Sequence, residues 1–287
     1  MNRKTALSMA IIASVITMAC GGIRLPEVKK LRTGPTLTEE ILVPLPGGDE
    51  ARNVEIGMGV GTLDIQPGAE NALVEGEVTY NVAELKPEVT VDDDDVRVVQ
   101  DKLEGVIPEL DQGIKNEWTL KLGSTPIALT LNVGAAAANV ELGGLALTKL
   151  TVSQGASDFG LSFSEPNQAE MGTLQVTAGA SNMTLSGLAN ANAEHISFKG
   201  GAGAYTLRFD GELQRDVEVS IDAGLGSVVI VVPEGVAAEA TFEGAMADVD
   251  AVHEWARTDN GYALEGEGFK ITLKIKMGVG SLELRNK

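Results

Sequence analysis

TVSQGASDFGLSFSEPNQAEMGTLQVTAGASNMTLSG (151–187) says nearly the same thing twice, as GASDFGLSF at 155–163 and GASNMTLSG at 179–187. Active sites seldom repeat themselves, whereas units that stack on copies of themselves do. Anchoring the count on Gly134, Gly155, Gly179, Gly201 and Gly224 gives spacings of 21, 24, 22 and 23 residues. Five positions before each glycine stand Leu129, Leu150, Leu174, Ile196 and Val219, and three before stand Leu131, Val152, Val176, Phe198 and Ile221. Four after come Ala138, Phe159, Met183, Tyr205 and Val228, and six after come Val140, Leu161, Leu185, Leu207 and Ile230. All four columns are apolar in every copy, and the residues between them are largely polar or small.

Alternation of period two marks strands with one buried face. A glycine between two such strands allows a positive-φ corner or a close backbone approach without a Cβ in the way. Units of this size cannot bury an apolar face alone, but stacking turns the columns into continuous ladders. The pattern therefore predicts an all-β chain whose main body is a parallel β-solenoid (β-helix) of about 22-residue rungs. Leu161 and Leu185 fall in one buried column of successive rungs, and Ser162 should point outward.

Working outward, EATFEGAMADVDA (239–251) keeps a glycine at 244 but puts Glu239 where an apolar residue belongs, and ITLKIKMGVGSLEL (271–284) restores the register around Gly278. Residues 245–268 are expected to form a decorated last turn or cap, with Trp255 covering the end of the core. Toward the N-terminus, NVEIGMGVGTLDIQ (53–66) echoes the rung, with Ile56, Leu63 and Ile65 around Gly59, and EGEVTYNVAELKPEVTVDDDDVRVVQ (75–100) reads as a hairpin with an acidic turn. Residues 37–128 should form a β-meander continuing directly into a solenoid at 129–287.

The first twenty residues, MNRKTALSMAIIASVITMAC, place Arg3 and Lys4 before an apolar stretch from Ala6 to Met18, too short for a comfortable membrane span of about 20 apolar residues. Residues 1–19 read as a signal peptide and the folded protein as exported. TMACGG (17–22) resembles a bacterial lipobox, with Ala19 and Gly21 flanking Cys20, the one cysteine; Thr17 departs from the usual aliphatic residue. The resemblance implies a diacylglycerol-bearing Cys20 at the start of the mature chain and anchoring on the outer face of a bacterial membrane. Residues 20–36 then form a flexible tether whose Arg24, Lys29, Lys30 and Arg32 face the single acid Glu27. Each base near an anionic bilayer gains about 1 kcal/mol.

With +5 on residues 1–36 and −19 overall, residues 37–287 carry −24. That excess, with no basic stripe, argues against nucleic-acid binding. Aromatics are 4% of the chain against 34 glycines, so the core must be aliphatic and its corners tight.

VEGEVTYNVAELKPEVTV (74–91), NEWTLKLGSTPIALTLNVGAAAANVELGGLALTKLTV (116–152) and the repeated GA-containing strands resemble the toast-rack family of bacterial envelope proteins, which is related to the LiaF-type proteins of the response to cell-wall-active antibiotics. The resemblance implies a structural fold and offers no catalytic residues to carry over. LiaF-type proteins are usually held by transmembrane helices, where this chain has a lipobox.

Chemistry-bearing patterns are sparse. Asp92, Asp93, Asp94 and Asp95 are consecutive, so alternate side chains point apart, whereas calcium needs about six oxygens from a curved loop. His195 and His253 are isolated, with no second ligand at metal spacing. Glycine-rich pieces such as GGAGAYTL (200–207) lead into strands and lack a P-loop lysine. Parallel β-helices include polysaccharide lyases and hydrolases, so a carbohydrate-active enzyme is the alternative. Its candidate acids, Asp158, Glu165, Asp210 and Asp222, form no column, and Lys149, Lys199, Arg208 and Arg215 are scattered. The sequence thus points to a non-enzymatic, lipid-anchored scaffold, adhesin-like or envelope-stress module. No metal, cofactor or small-molecule substrate is expected, and the expected partners are the membrane and an envelope protein or the cell wall.

Overall fold

The computed structural model describes residues 31–45, 47, 50–93, 95–100, 113–243, 248–252 and 254–287. Residues 32–102 and 112–287 form one compact unit, which holds all seventeen described strands, joined by hydrogen bonds into one continuous sheet.

Six long strands are continuous through the repeated glycine: β2 (Arg52–Pro67), β7 (Ile127–Glu141), β10 (Met171–Ser186), β11 (Ala193–Arg208), β12 (Val217–Val232) and β17 (Glu267–Asn286). A seventh rung is split around Gly155 into β8 (Leu147–Gln154) and β9 (Asp158–Ser162). Neighbouring rungs pair in parallel, and the register stacks like on like. The first column runs Val54, Leu129, Leu150, Leu174, Ile196, Val219, Leu273. The fourth runs Ile65, Val140, Leu161, Leu185, Leu207, Ile230, Leu284. These side chains are at most 2% exposed. Burying each contributes roughly 1.5–3 kcal/mol, and a one-residue slip of any rung would turn its whole set to solvent. The parallel solenoid is therefore built on the four columns legible in the sequence.

Glycine marks the corner for want of space. A Cβ on Gly134, Gly155, Gly179, Gly201 or Gly224 would lie 2.4–2.8 Å from the carbonyl oxygen of the corner glycine one rung earlier, beginning with Gly59. The rung at β11 takes the requirement further. Tyr205 turns its ring into the corner, edge-on to Phe198 at 5.0 Å, where a Cβ on Gly200 would meet it at 2.5 Å. GGAGAYTL is thus a corner filled by an aromatic ring.

The return loops are tied by buried asparagines. Asn167 Nδ2 donates to the Leu147 and Ala169 carbonyls while its Oδ1 accepts from Leu147 N. Asn190 bridges the Phe163 carbonyl and Glu212 N, and Asn192 bridges the Ala169 carbonyl and Arg215 Nε. Buried backbone groups in these loops thereby find partners that no strand supplies.

Both ends of the ladder leave sequence order. At the N-terminal end the rung outside β2 is made from β5 (Asp95–Gln100) and β6 (Asn116–Leu122), and the chain returns inward to β7 on the other side of β2. Antiparallel β3 (Ala72–Tyr80) and β1 (Leu37–Pro44) extend the sheet beyond β6, while β4 (Pro87–Asp92) flanks β5 as a hairpin with Asp93 in its turn. The N-terminal part is thus part meander and part rung, and β7 runs through residues 128 and 129.

At the other end, β17 is last in sequence but not in space. It lies between β12 and the pair β13 (Val236–Glu243) and β14 (Asp248–Ala251). The rung containing Gly278 is therefore interior and not terminal, and of the two expectations for residues 245–268 the described strands fit the cap. In β13 the columns are held by Ala240 and Phe242, paired with Leu273 and Ile275, while Glu239 faces Thr272 outside them. The apparent loss of phase came from counting on Gly244. Beyond β13, antiparallel β16 (Gly261–Leu264) and β15 (Ala256–Thr258) cover that edge, which otherwise would recruit other strands. Trp255, 4% exposed, belongs to the core there and offers no ring face to a ligand.

Candidate functional site

On the second half of each rung, alternate residues point outward at three and five positions past the corner glycine. Parallel stacking aligns them into two surface columns. The first is Glu117, Thr62, Ala137, Asp158, Asn182 and Ala204; the second is Thr119, Asp64, Asn139, Gly160, Thr184 and Thr206. The small residues Ala137, Gly160 and Ala204 leave hollows between longer neighbours. The result is an open groove of about 780 Å³ crossing β6, β2, β7, β9, β10 and β11. At the strand spacing of a sheet it is roughly 24 Å long.

Apolar surface makes up most of the groove, and carboxylates, carboxamides and hydroxyls are set along it, holding one another within and between rungs. Asn139 Nδ2 donates to Asp64 Oδ2 at 3.1 Å, Gln66 Nε2 to Asp64 Oδ1 at 2.7 Å, and Asn182 Nδ2 to Asp158 Oδ1 at 3.1 Å. No Lys or Arg lines it; Lys115 approaches from one end to pair with Glu117 at 3.5 Å. Fixed acceptors with spare lone pairs, next to amide donors, suit hydroxyl and ammonium groups.

The residues singled out from the sequence lie mostly elsewhere. Cys20 and His253 fall outside the described residues, as does Asp94. Asp95 accepts from Asn53 Nδ2 at 2.7 Å beside the hairpin turn, and Asp93 adopts φ 43° at its tip. His195 is an exposed residue of β11 near Glu194 and Glu218, at 3.6 and 3.9 Å. Asp222 and Lys199 face outward side by side on the other half of the rungs. Asp210 pairs with Arg208 at the end of β11 at 2.8 Å, and Arg215 with Glu170 between return loops at 3.0 Å. Among the described residues, no three His, Cys, Asp or Glu side chains converge as a metal site. Of the four candidate acids only Asp158 reaches the groove, where it joins Asp64 and Glu117, which residue-by-residue scanning missed. Extending the glycine count to outward positions would have found Asp64 through the 53–66 echo.

Ser162 lies on the outward face of β9, as its alternation with buried Leu161 requires, but it has a partner there. It is half-buried, and its hydroxyl donates to Glu141, which also accepts from Gly143 N at 2.6 Å and from Ser164 N and Oγ at 2.9 Å each. Burial alone would raise the Glu141 pKa, but the hydrogen bonds from Ser162, Ser164 and Gly143 outweigh it and hold the carboxyl below its ordinary value. The group staples two successive return loops together. At the N-terminal edge, burial and a 2.6 Å hydrogen bond donated to Glu39 push the Tyr80 hydroxyl up to about 12.

A family model described as the N-terminal domain of toast_rack, DUF2154, matches residues 32–186 and, again, 167–231. The two matches together span well over half of the chain, which therefore belongs to the toast-rack family. Among solved structures, a "putative cell adhesion protein" from Clostridium sporogenes is similar with a TM-score of 0.48 and 21% identity, covering 88% of this chain and 100% of that one. A "putative adhesin" from Bacteroides fragilis gives 0.44 and 14%, covering 89% and 99%. Another from Parabacteroides distasonis gives 0.43 and 12%, covering 90% and 100%. No curated protein matches the sequence.

Proposed function

We propose that this toast-rack protein is an exported, lipid-anchored and non-enzymatic module of the bacterial envelope, adhesin-like in presenting extended sheet faces to an envelope or cell-wall partner. The observation that carries the reading is the open groove across six rungs of the ladder. A rigid, shallow surface of this kind suits a long partner, as repeat proteins commonly use such surfaces. A catalytic reading asks for an acid shielded from water and a partner carboxylate at defined distance. Glu117, which is exposed, and Asp64, on neighbouring strands, are instead engaged with Lys115, Gln66 and Asn139. The acidic lining also disfavours nucleic acid as the partner.

Anchoring rests on the sequence around Cys20 and is tested separately. Cys20→Ser should abolish acylation and move the protein from the membrane fraction to the soluble one. Equal membrane retention of the variant and the parent protein would refute the anchor.

A further inference from the structure

We infer that the groove is a binding site for a linear glycan that carries free amino groups. The inference deepens the functional reading above, because it names the partner of that same surface. Three features select this chemistry. Asp64 and Asp158 are each oriented by neighbouring carboxamides and meet no cation among the described residues, so they offer fixed anionic acceptors to an ammonium group. Around them Thr119, Asn139, Asn182 and Thr184 supply the mixed donors and acceptors that sugar hydroxyls need. The third feature is periodicity. The polar columns repeat once per rung, roughly every 4.8 Å along the groove, close to the advance of one sugar in an extended chain, so successive sugars meet successive rungs.

Charge decides between glycan classes. With −24 over residues 37–287 and no Lys or Arg in the lining, a uronate or phosphate-bearing polymer is repelled and an amino-bearing one is drawn in. Asp64 and Asp158 lie two rungs apart and in different columns, roughly 12 Å from one another by sheet geometry. They therefore engage amino groups on different sugars of one chain and not a single cation.

Calorimetry with the soluble Cys20→Ser protein tests the assignment, using a glucosamine hexamer, its fully N-acetylated counterpart, hexalysine and oligogalacturonate as probes. The glucosamine hexamer should bind with its length unchanged by mass spectrometry. Asp158→Asn and Asp64→Asn should each weaken it about tenfold, the loss expected of one charge-assisted hydrogen bond. Asp222→Asn, which removes the same charge from the other half of the rungs, should leave binding as it was. The surface position of all three keeps folding intact, as thermal melts will verify. Equal binding of the N-acetylated hexamer would overturn the ammonium assignment, and equal binding of hexalysine would overturn the glycan. An equal effect of Asp222→Asn would reduce the attraction to net charge and overturn the site. Failure of every probe would remove this ligand class while leaving the anchor, tested by fractionation, standing.

Discussion

Substituting Gly179 by alanine measures how tightly the rungs are stacked. The new Cβ would sit 2.4 Å from the Gly155 carbonyl oxygen, about 1 Å inside the 3.4 Å at which ordinary contact begins. That oxygen accepts a 3.0 Å hydrogen bond from Ala180 N. Neither rung can slide away, because β10 is bonded in register to β8, β9 and β11 along both of its halves. Overpacking of this kind costs about 1–3 kcal/mol, and stretching the bond adds about 1 kcal/mol. A less flexible unfolded chain returns about 0.4–1 kcal/mol. The net loss is about 2–3 kcal/mol, or about 5–10 °C in melting temperature for a domain of this size. Gly172 lies in the same strand with ordinary backbone angles and nothing within 4 Å of its Cβ position. Gly172→Ala should therefore melt within about 0.5 kcal/mol of the parent, or slightly above it. Thermal melts by circular dichroism on both variants decide the matter. If Gly179→Ala and Gly172→Ala melt together, the corner glycines are not there for close stacking.

Deleting residues 156–179 joins Gly155 to Ala180, removes one whole rung and keeps every column aligned, so the shortened protein should fold as β with lower stability. Deleting only 156–167 breaks the columns and should give aggregates by light scattering; equal folding of the two deletions would refute the rung assignment. Acid should unfasten the Glu141 staple. Its folded-state pKa lies below its unfolded one, so its stabilisation is present above about pH 4.5 and is lost as pH falls through the lower folded value. Melting temperatures from pH 6 to 3 should therefore fall less steeply for Glu141→Gln than for the parent protein; identical slopes would remove Glu141 from the acid response.

What the sequence alone determined is everything that repeats. Leu150, Leu174 and Ile196 announce one buried column because each rung solves the same packing problem as its neighbours, and Gly155 and Gly179 recur because no Cβ fits between stacked corners. The hairpin, read from the sequence over 75–100 and formed by 87–100, and the echo at 53–66 were legible for the same local reasons. What only the tertiary structure decided is spatial order where the chain departs from its own succession. Nothing local to residues 267–286 says that β17 enters between β12 and β13, since its apolar alternation would serve an outer rung equally well; hydrogen-bonded neighbours on both sides fix its place. The groove was hidden for a related reason. Asp64, Glu117 and Asp158 come from β2, β6 and β9, far apart in sequence, and their outward positions are free to vary because no core constrains them. Stacking brings those three carboxylates onto one face, and only there do they become a site.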